Sequence, residues 1–446
     1  MSGGAPETAP VVDLAHDGRG VARLGGKAVF VAGALPGETV SLVRLRRRAR
    51  HDEARLVAVL EPSPDRVTPR CAHFGRCGGC SLQHLKPPAQ LRAKERELHE
   101  QLARLGQVAA LRRLPPLEGP LWAYRRRARL GVKYHARSGR VIVGFRERES
   151  PWLAALTRCE VLAAPVGAMT AGLSALIATL EVRAALPQIE VAIGEPAAAG
   201  GAEDRPVAAL VLRVLEPPTD ADRGRLREFA SRHGVEFWLQ PGGPATARPL
   251  DAFATPLRYA LPEFDLTLEF EPLDFVQVNG ELNRRMVSHA LALLAPQPAD
   301  AVLDLYCGIG NFTLPLARRA GSVQGVEGDA GLVARARANA ARNGLDNARF
   351  ALADLTGDPA GEPWARQRYQ RVLLDPPRAG AAAALPAIAA SGAGRIVYIS
   401  CHPGSLARDA GLLVREHGFR LEAAGVMDMF PHTAHVEAIA VFERAA

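Results

Sequence analysis

The sequence predicts an α/β protein whose C-terminal part forms a doubly wound parallel sheet. Three observations support this prediction. From residue 271 onward, short apolar runs alternate with helical patterns, and such alternation builds a parallel sheet. The first 63 residues contain only short strand-like runs separated by turns. Residues 64–270 mix antiparallel strand patterns with helices and begin with clustered cysteines. We therefore predict three domains, 1–63, 64–270 and 271–446.

Composition restricts the class of protein. The chain has 446 residues and a net charge of +8, and the positive excess favours a polyanionic partner such as RNA. It has no apolar run long enough to cross a bilayer and no pattern of a secretory signal at its start, so we expect no membrane span and a cytoplasmic location. Six cysteines in such a chain indicate metal binding or catalysis rather than disulfides. No obligate protein partner is evident, and a monomer is expected.

The first domain is predicted to be a small barrel of about five strands, of the OB type. Turn residues separate its strand-like runs at Asp17-Gly18 and Gly25-Gly26, and its small polar start, residues 1–10, predicts no ordered structure. The segments 18–22 (GRGVA) and 34–38 (ALPGE) resemble TRAM domains, which bind RNA. Six arginines favour an RNA-binding surface over a merely solvated face. They are Arg44, Arg46, Arg47, Arg48, Arg50 and Arg55.

The second domain begins with a candidate metal centre. Three cysteines lie within ten residues, and they are Cys71, Cys77 and Cys80. The pair Gly78-Gly79 lets the backbone turn tightly between two of them. Sulfur ligation of this kind suits zinc or an iron–sulfur cluster. Cys159 is the only other cysteine before the third domain and is the candidate fourth ligand, whereas His73 and His84 are competing ligands that would favour zinc.

The remainder of the second domain is predicted to be α+β. Residues 121–145 have the pattern of antiparallel strands, and residues 190–193 and 208–215 form a second hairpin pattern. The Ala/Gly-rich connection, residues 194–205, predicts a mobile loop. The arginines within 125–129 either contact RNA or lie on a solvated sheet face, and the pattern supports both alternatives.

One strand of the third domain ends where chemistry is expected. Residues 396–399 (IVYI) are β-branched or aromatic and predict a buried strand. The strand continues into Ser400, Cys401 and His402, and Pro403 stops it. Ligands of open α/β sheets bind at the carboxyl ends of the strands, so Cys401 is a candidate nucleophile. The alternative is an ordinary core cysteine.

A glycine turn after the first strand of this domain is a candidate cofactor site. The turn spans residues 304–311 (DLYCGIGN), and Glu327 lies at the tip of the next strand, 17 residues after Gly310. In dinucleotide sites such an acid binds ribose hydroxyls. Thr313 stands where the third glycine would be, which disfavours a pyrophosphate and favours the phosphate-free nucleoside S-adenosylmethionine. Asp354, at the following strand end, could accept from the adenine amine.

Five motifs together resemble the RNA uracil-5 methyltransferases. They are FVQVN at 275–279, DLYCG at 304–308, DPPR at 375–378, SCHP at 400–403 and FPHTAHVE at 430–437. The resemblance covers nearly the whole chain. The TRAM-like barrel together with the four cysteines is similar to family members that methylate 23S ribosomal RNA. The departures are Tyr306, where Phe is common, and His402, where Asn is common, and neither removes a reacting group.

The resemblance implies a Rossmann-like class I methyltransferase domain that makes 5-methyluridine in 23S ribosomal RNA. It implies that Cys401 adds to C6 of a flipped-out uracil, that Glu437 removes the C5 proton, and that Asp375 orients the base. The pocket for S-adenosylmethionine would be lined by Gln277, Tyr306, Asn311, Glu327, Asp354 and Asp375. A [4Fe–4S] cluster, in preference to zinc, is implied on Cys71, Cys77, Cys80 and Cys159.

Other classes of protein fit the residues less well. RNA cytosine-5 methyltransferases carry their nucleophile after a proline on the Asp-Pro strand, and no cysteine follows Asp375-Pro376-Pro377. Amine methyltransferases have an aromatic residue where Arg378 stands, because the ring stacks on the base. A non-catalytic RNA-binding or iron–sulfur scaffold would not need both Cys401 and Glu437.

Overall fold

The computed structural model describes residues 5–196 and 206–445, and this part of the chain separates into two compact units. The first unit consists of the described residues up to Glu97, with Arg146–Ala154 and Phe430–His435. The second consists of Leu98–Phe145, the described part of Ala155–Met429, and Val436 onward. Most of the loop predicted at 194–205 lies outside the described residues. The domain boundaries at residues 63 and 270 stay predictions.

A closed barrel of five strands begins the first unit. Its strands are β1 (Glu7–Leu14), β2 (Gly20–Leu24), β3 (Lys27–Ala32), β4 (Thr39–Arg47) and β5 (His51–Glu61). Inward side chains such as Ala22, Val29 and Val40 fill the barrel, because alternate residues of a strand face the same side. The predicted barrel is confirmed. The disorder predicted for residues 1–10 is wrong for residues 7–10, which pair with β4 and so gain backbone hydrogen bonds that composition does not reveal.

A six-stranded sheet with one apolar face forms the first layer of the second unit. Its order is β12-β11-β10-β9-β7-β8. The strands are β7 (Arg127–His135), β8 (Arg140–Gly144), β9 (Gln188–Ile193), β10 (Ala208–Arg213), β11 (Val235–Gln240) and β12 (Arg248–Pro249). Two helices, α2 (Thr170–Thr179) and α3 (Asp220–His233), cover the apolar face with Leu173, Leu226 and Phe229. The predicted hairpin is therefore present as β9 and β10.

A second sheet of eight strands, ordered β17-β16-β15-β18-β19-β21-β20-β6, carries the doubly wound part of the unit. Its strands are β6 (Arg112–Arg113), β15 (Ala301–Leu305), β16 (Ser322–Glu327), β17 (Ala348–Leu352), β18 (Arg371–Leu374), β19 (Arg395–Ser400), β20 (Phe419–Met427) and β21 (Glu437–Arg444). The five strands from β17 to β19 are parallel, and β21 runs antiparallel to β19. The predicted parallel sheet is confirmed.

Helices lie between these strands, and several of them begin at a residue whose side chain caps the first turn. The remaining helices are α1 (Pro87–Gln101), α4 (Gly280–Leu294), α5 (Thr313–Ala317), α6 (Ala330–Arg342), α7 (Leu385–Ala390) and α8 (Pro403–Arg415), and a short hairpin is formed by β13 (Leu257–Leu261) and β14 (Leu266–Phe270). Asn279, Asp329 and His402 each accept a backbone N–H in the first turn of α4, α6 and α8. Of the helices in the described ranges, none is long and apolar enough to cross a membrane.

Candidate active site

The candidate catalytic residues meet at the carboxyl edge of the eight-stranded sheet. Cys401 follows β19 directly, and Asp375 follows the neighbouring strand β18. Ser400 pairs with Ala438 across the antiparallel β19–β21 ladder, so the next position outward brings Cys401 level with Glu437. The structure therefore brings Cys401, Asp375 and Glu437 together, although Cys401 and Glu437 are separated by 35 residues in the sequence.

The Cys401 thiol is protonated in the free protein. Burial, together with the negative charges of Glu437 and Asp375, raises its pKa to about 11, while Arg378 acts in the opposite direction. The residue is only partly buried. The thiol consequently becomes a strong nucleophile only when a nearby group takes its proton.

Asp375 is held by the segment that precedes α4. Gln277 donates from Nε2 to Oδ2 of Asp375 over 3.2 Å. Burial raises the pKa of Asp375 well above the usual range of a carboxyl group. Phe275, two residues before Gln277, leaves 66% of its surface exposed and so presents a ring to ligands.

Arg126 holds the backbone of Gln277 in place. The sequence did not identify this arginine as part of the site. Its Nε donates to the Gln277 carbonyl over 2.8 Å, and its guanidinium lies 4.5 Å from the centre of the Tyr259 ring. Its Nη1 is 3.6 Å from Oε1 of Glu195. Arg126 is 5% exposed, so both alternatives for residues 125–129, an RNA contact and a solvated sheet face, are wrong for this residue. Only tertiary packing distinguishes it from its arginine neighbours.

The acid predicted to bind ribose is bound to the backbone of the glycine turn. One oxygen of Glu327 accepts from Gly308 N over 3.0 Å, and the other accepts from Gly328 N and Asp329 N. Glu327 therefore braces the turn that follows β15. Within the same turn, Cys307 is buried.

The other residues of the predicted cofactor pocket differ in their hydrogen bonds and in their exposure. Asn311 uses its side-chain oxygen for Tyr259 and Asn283, and its Nδ2 donates to Asn283. Tyr306 donates from its hydroxyl to the Leu355 carbonyl over 3.3 Å. Asp354 is exposed, and its hydrogen bonds from Thr356 lower its pKa. Roles of these side chains in binding S-adenosylmethionine stay predictions.

A buried carboxylate of α8 holds the loop that follows Asp375. Asp409 accepts from the Tyr398 hydroxyl and from Ala381 N, each over 2.7 Å, and Arg408 pairs with it at 2.7 Å. Gly380 has a φ of 84°, and a Cβ at this position would lie 2.6 Å from Oδ2 of Asp409, so only glycine fits. The sequence offered no signal for this network, because Asp409 resembles any polar residue of a helix.

The three clustered cysteines lie in the first unit on a tightly folded loop. All three are partly buried. Cys77 N donates to the His73 carbonyl, and Gly79 N donates to Sγ of Cys77 over 3.4 Å. A Cβ at Gly78 would lie 2.9 Å from the Arg146 carbonyl, which explains the glycine. Partly buried cysteines and an N–H directed at sulfur suit a thiolate-bound metal centre.

The remaining candidate ligands are Cys159 and two histidines. Cys159, in the second unit, is partly buried, and its N–H donates to the Gly167 carbonyl. His84 is buried, and neither of its ring nitrogens has a hydrogen-bond partner among the described residues. Burial lowers its pKa to about 4, so the ring is neutral. Within residues 5–196 and 206–445, no three His, Cys, Asp or Glu side chains are arranged to hold a metal ion.

The chain is similar to known proteins over most of its length. Residues 263–445 match the family model described as tRNA (Uracil-5-)-methyltransferase. Proteins named 23S rRNA (uracil(1939)-C(5))-methyltransferase RlmD are 51% identical in Stenotrophomonas maltophilia, over 98% of this chain and 97% of the relative, and 53% identical in Alkalilimnicola ehrlichii, over 98% and 96%. A Pyrococcus abyssi tRNA (uracil-54, C5)-methyltransferase, solved with S-adenosyl-L-homocysteine, has a TM-score of 0.72 at 22% identity, covering 98% of this chain and 99% of the other.

The parallel sheet and the site at its carboxyl edge define a class I methyltransferase, and the likeness to the Pyrococcus abyssi enzyme confirms that fold. The chain belongs to the RNA uracil-5 methyltransferase family, as the extent and identity of the RlmD matches establish. The prediction of the family and of an enzyme is thus confirmed.

Proposed function

We propose that the enzyme transfers a methyl group from S-adenosylmethionine to C5 of a specific uridine in 23S ribosomal RNA, giving 5-methyluridine. The observation that carries this proposal is the placement of Cys401 level with Glu437 and beside Asp375 at the edge of the sheet. The relatives named for 23S rRNA, which match nearly the whole chain, support ribosomal RNA as the substrate.

The proposed reaction has two stages on this chain. The thiol of Cys401 loses its proton to a neighbouring carboxylate and adds to C6 of uracil, which makes C5 nucleophilic. S-adenosylmethionine supplies the methyl group that C5 takes up. Glu437 then removes the C5 proton, the S–C6 bond breaks, and Cys401 is restored. Asp375, fixed by Gln277, borders both reactants and orients the base.

The test is mass mapping of 23S ribosomal RNA after incubation with the protein and S-adenosylmethionine. One uridine should gain 14 mass units, about the mass of a CH2 group, and Cys401→Ala should abolish the change while S-adenosylmethionine still binds. Methylation of a cytidine, or of an exocyclic amine, would contradict the proposal. So would full activity of the Cys401→Ala protein.

We also propose a [4Fe–4S] cluster held by Cys71, Cys77, Cys80 and Cys159. The clustering of three partly buried cysteines and the N–H directed at Cys77 Sγ support it. Zinc is the competing proposal, and it is favoured by one observation, the buried and neutral His84 without a partner for its ring nitrogens.

We further propose that the barrel contacts RNA, that the protein acts as a monomer and that it works in the cytoplasm, where ribosomes are assembled.

Arg44 of the barrel forms ion pairs with Glu7 and Asp52 at 2.8 and 2.9 Å and so supports the barrel itself. The residues following it, Arg46, Arg47, Arg48 and Arg50, are exposed. Arg55, on β5, is exposed as well, so these five arginines are the candidates for phosphate contacts.

A further inference from the structure

A basic cavity lies on the six-stranded sheet of the second unit, on the face opposite the apolar core. Its volume is about 400 Å³, within the range of ligand-binding pockets. Six polar side chains line it, and they are Arg127, Arg129, Gln188, Glu190, Arg213 and Gln240. Two prolines and a leucine complete the wall.

The strand register explains why these side chains share one face. Arg129 is paired with Glu190, Arg213 with Gln188, and Arg213 again with Gln240, so the polar positions form rows across four strands. The intervening positions, such as Leu130, Ile189 and Leu212, point into the apolar core. The sheet therefore has one face made for packing and one face whose polar residues remain available to a ligand.

Positive charge dominates the cavity, with three guanidinium groups against one carboxylate. Glu190 accepts from Arg129 Nε over 2.5 Å. Arg127 donates to the Pro272 carbonyl, and Arg213 donates to the carbonyls of Gln240 and Gly242. Across the described residues, these bonds use at most two of the five N–H groups of each arginine. The unused groups can bind an anion.

The arginines of the cavity wall carry positive charge that favours the binding of an anion. Burial lowers the pKa of the Arg127 guanidinium, because that cation is partly removed from water. Arg129, in contrast, exposes 71% of its side chain and can reach an incoming ligand. Guanidinium groups bind phosphate with two parallel hydrogen bonds, and the glutamines can bond to sugar or base edges.

We propose that this cavity binds the phosphodiester backbone of the substrate RNA, at nucleotides outside the one that is methylated. The proposal rests on the proposed function, which supplies RNA as the ligand. The cavity thereby adds affinity from within the second unit, independently of the barrel. It takes no part in the chemistry, because its residues are not among those around Cys401.

The test uses the full-length enzyme and a fragment of 23S ribosomal RNA that contains the methylated uridine. We expect Arg129→Gln and Arg213→Gln each to weaken RNA binding and to lower the slope of log affinity against log salt by about one unit. The rate at saturating RNA should stay unchanged. Arg232→Gln is the matched control, since Arg232 is exposed on α3, the helix that covers the opposite face.

Glu190→Gln should change RNA affinity in the opposite direction from the two arginine variants. Glu190 competes with phosphate for Arg129, so neutralising it should strengthen RNA binding, whereas a purely structural role would predict weaker binding or lower stability. Thermal unfolding of each variant identifies folding defects.

Unchanged affinity and salt slope in both arginine variants, with methylation intact, would overturn the cavity proposal and leave the proposed function standing. Stronger binding of polyglutamate than of the RNA fragment would assign the cavity to an acidic protein and also overturn it. Absence of methylation by the wild-type enzyme would instead contradict the proposed function.

Discussion

The rate at which the Cys401 thiol reacts depends on the charged residues around it. With a pKa of about 11, Cys401 is mostly thiol below that pH, so its alkylation should accelerate about tenfold for each pH unit between 7 and 9. The carboxylate of Glu437 raises this pKa, and Glu437→Gln should therefore lower it and accelerate alkylation at a given pH. Mass spectrometry of the peptide that contains Cys401 measures the rate. A slower reaction in Glu437→Gln would mean that Glu437 does not face the thiol.

The same substitution separates the two stages of the reaction. Glu437→Gln should still permit addition to C6 and methyl transfer but should block removal of the C5 proton. A protein–RNA adduct that survives denaturation should accumulate, as gel electrophoresis with labelled RNA would show. The double variant Cys401→Ala with Glu437→Gln is the control and should form none. Normal release of methylated RNA by Glu437→Gln would assign the base to another residue.

At the scale of elements, α8 determines where the loop after β18 lies. Asp409→Ala would leave Ala381 N and the Tyr398 hydroxyl buried without acceptors, at a cost of about 3 kcal/mol in the free energy of unfolding. Arg408→Gln is the matched control and should cost less than about 1 kcal/mol, because the Arg408 side chain is 49% exposed. Chemical denaturation measures both. Equal losses for the two variants would show that the network does not depend on its buried carboxylate.

The cysteine loop is the second element with a measurable consequence. Protein purified without oxygen should be brown and contain about four irons per chain, as four thiolate ligands imply. Cys159→Ser should remove the iron, and Cys401→Ser, which alters a cysteine outside the proposed set, should retain it. His84→Gln distinguishes the alternatives, since it should leave a cluster in place but weaken a zinc site. Colourless, active protein with one zinc would refute the cluster.

At the scale of the whole molecule, the exposed arginines of the barrel should supply affinity without changing the chemistry. Deleting the barrel is a poor test, because Leu35 packs with Leu82 and Leu85 and Arg66 pairs with Glu38. Replacing four of the exposed arginines by Gln is the better test: Arg46, Arg47, Arg48 and Arg50. Binding should weaken and the salt slope should fall, with the rate at saturating RNA preserved.

The control for the barrel is Arg92→Gln, an exposed arginine of the same unit that pairs with Asp65. Fluorescence anisotropy at several salt concentrations gives affinity and slope together. If the fourfold variant binds RNA with the affinity and slope of the Arg92→Gln protein, the barrel is a docking or solubility module.

Local patterns determined the barrel, the alternation of strands and helices, and the position of Cys401. The apolar run at residues 396–399 predicts a buried strand, and Pro403 predicts where the strand must end. Both can be predicted because the effects act on adjacent residues. The family motifs added the identity of the reacting groups. These features depend on short stretches of chain, so they can be read without knowing what lies across the sheet.

Only the tertiary structure decided which of the remaining residues work together. The antiparallel register of β19 and β21 brings Glu437 level with Cys401, and packing buries Arg126 while Arg129, three residues later, faces a cavity. Asp409 holds a loop from another part of the sheet. Each of these arrangements depends on contacts between segments that are distant in the sequence. The free energy of such contacts depends on both segments, so neither segment predicts them by itself.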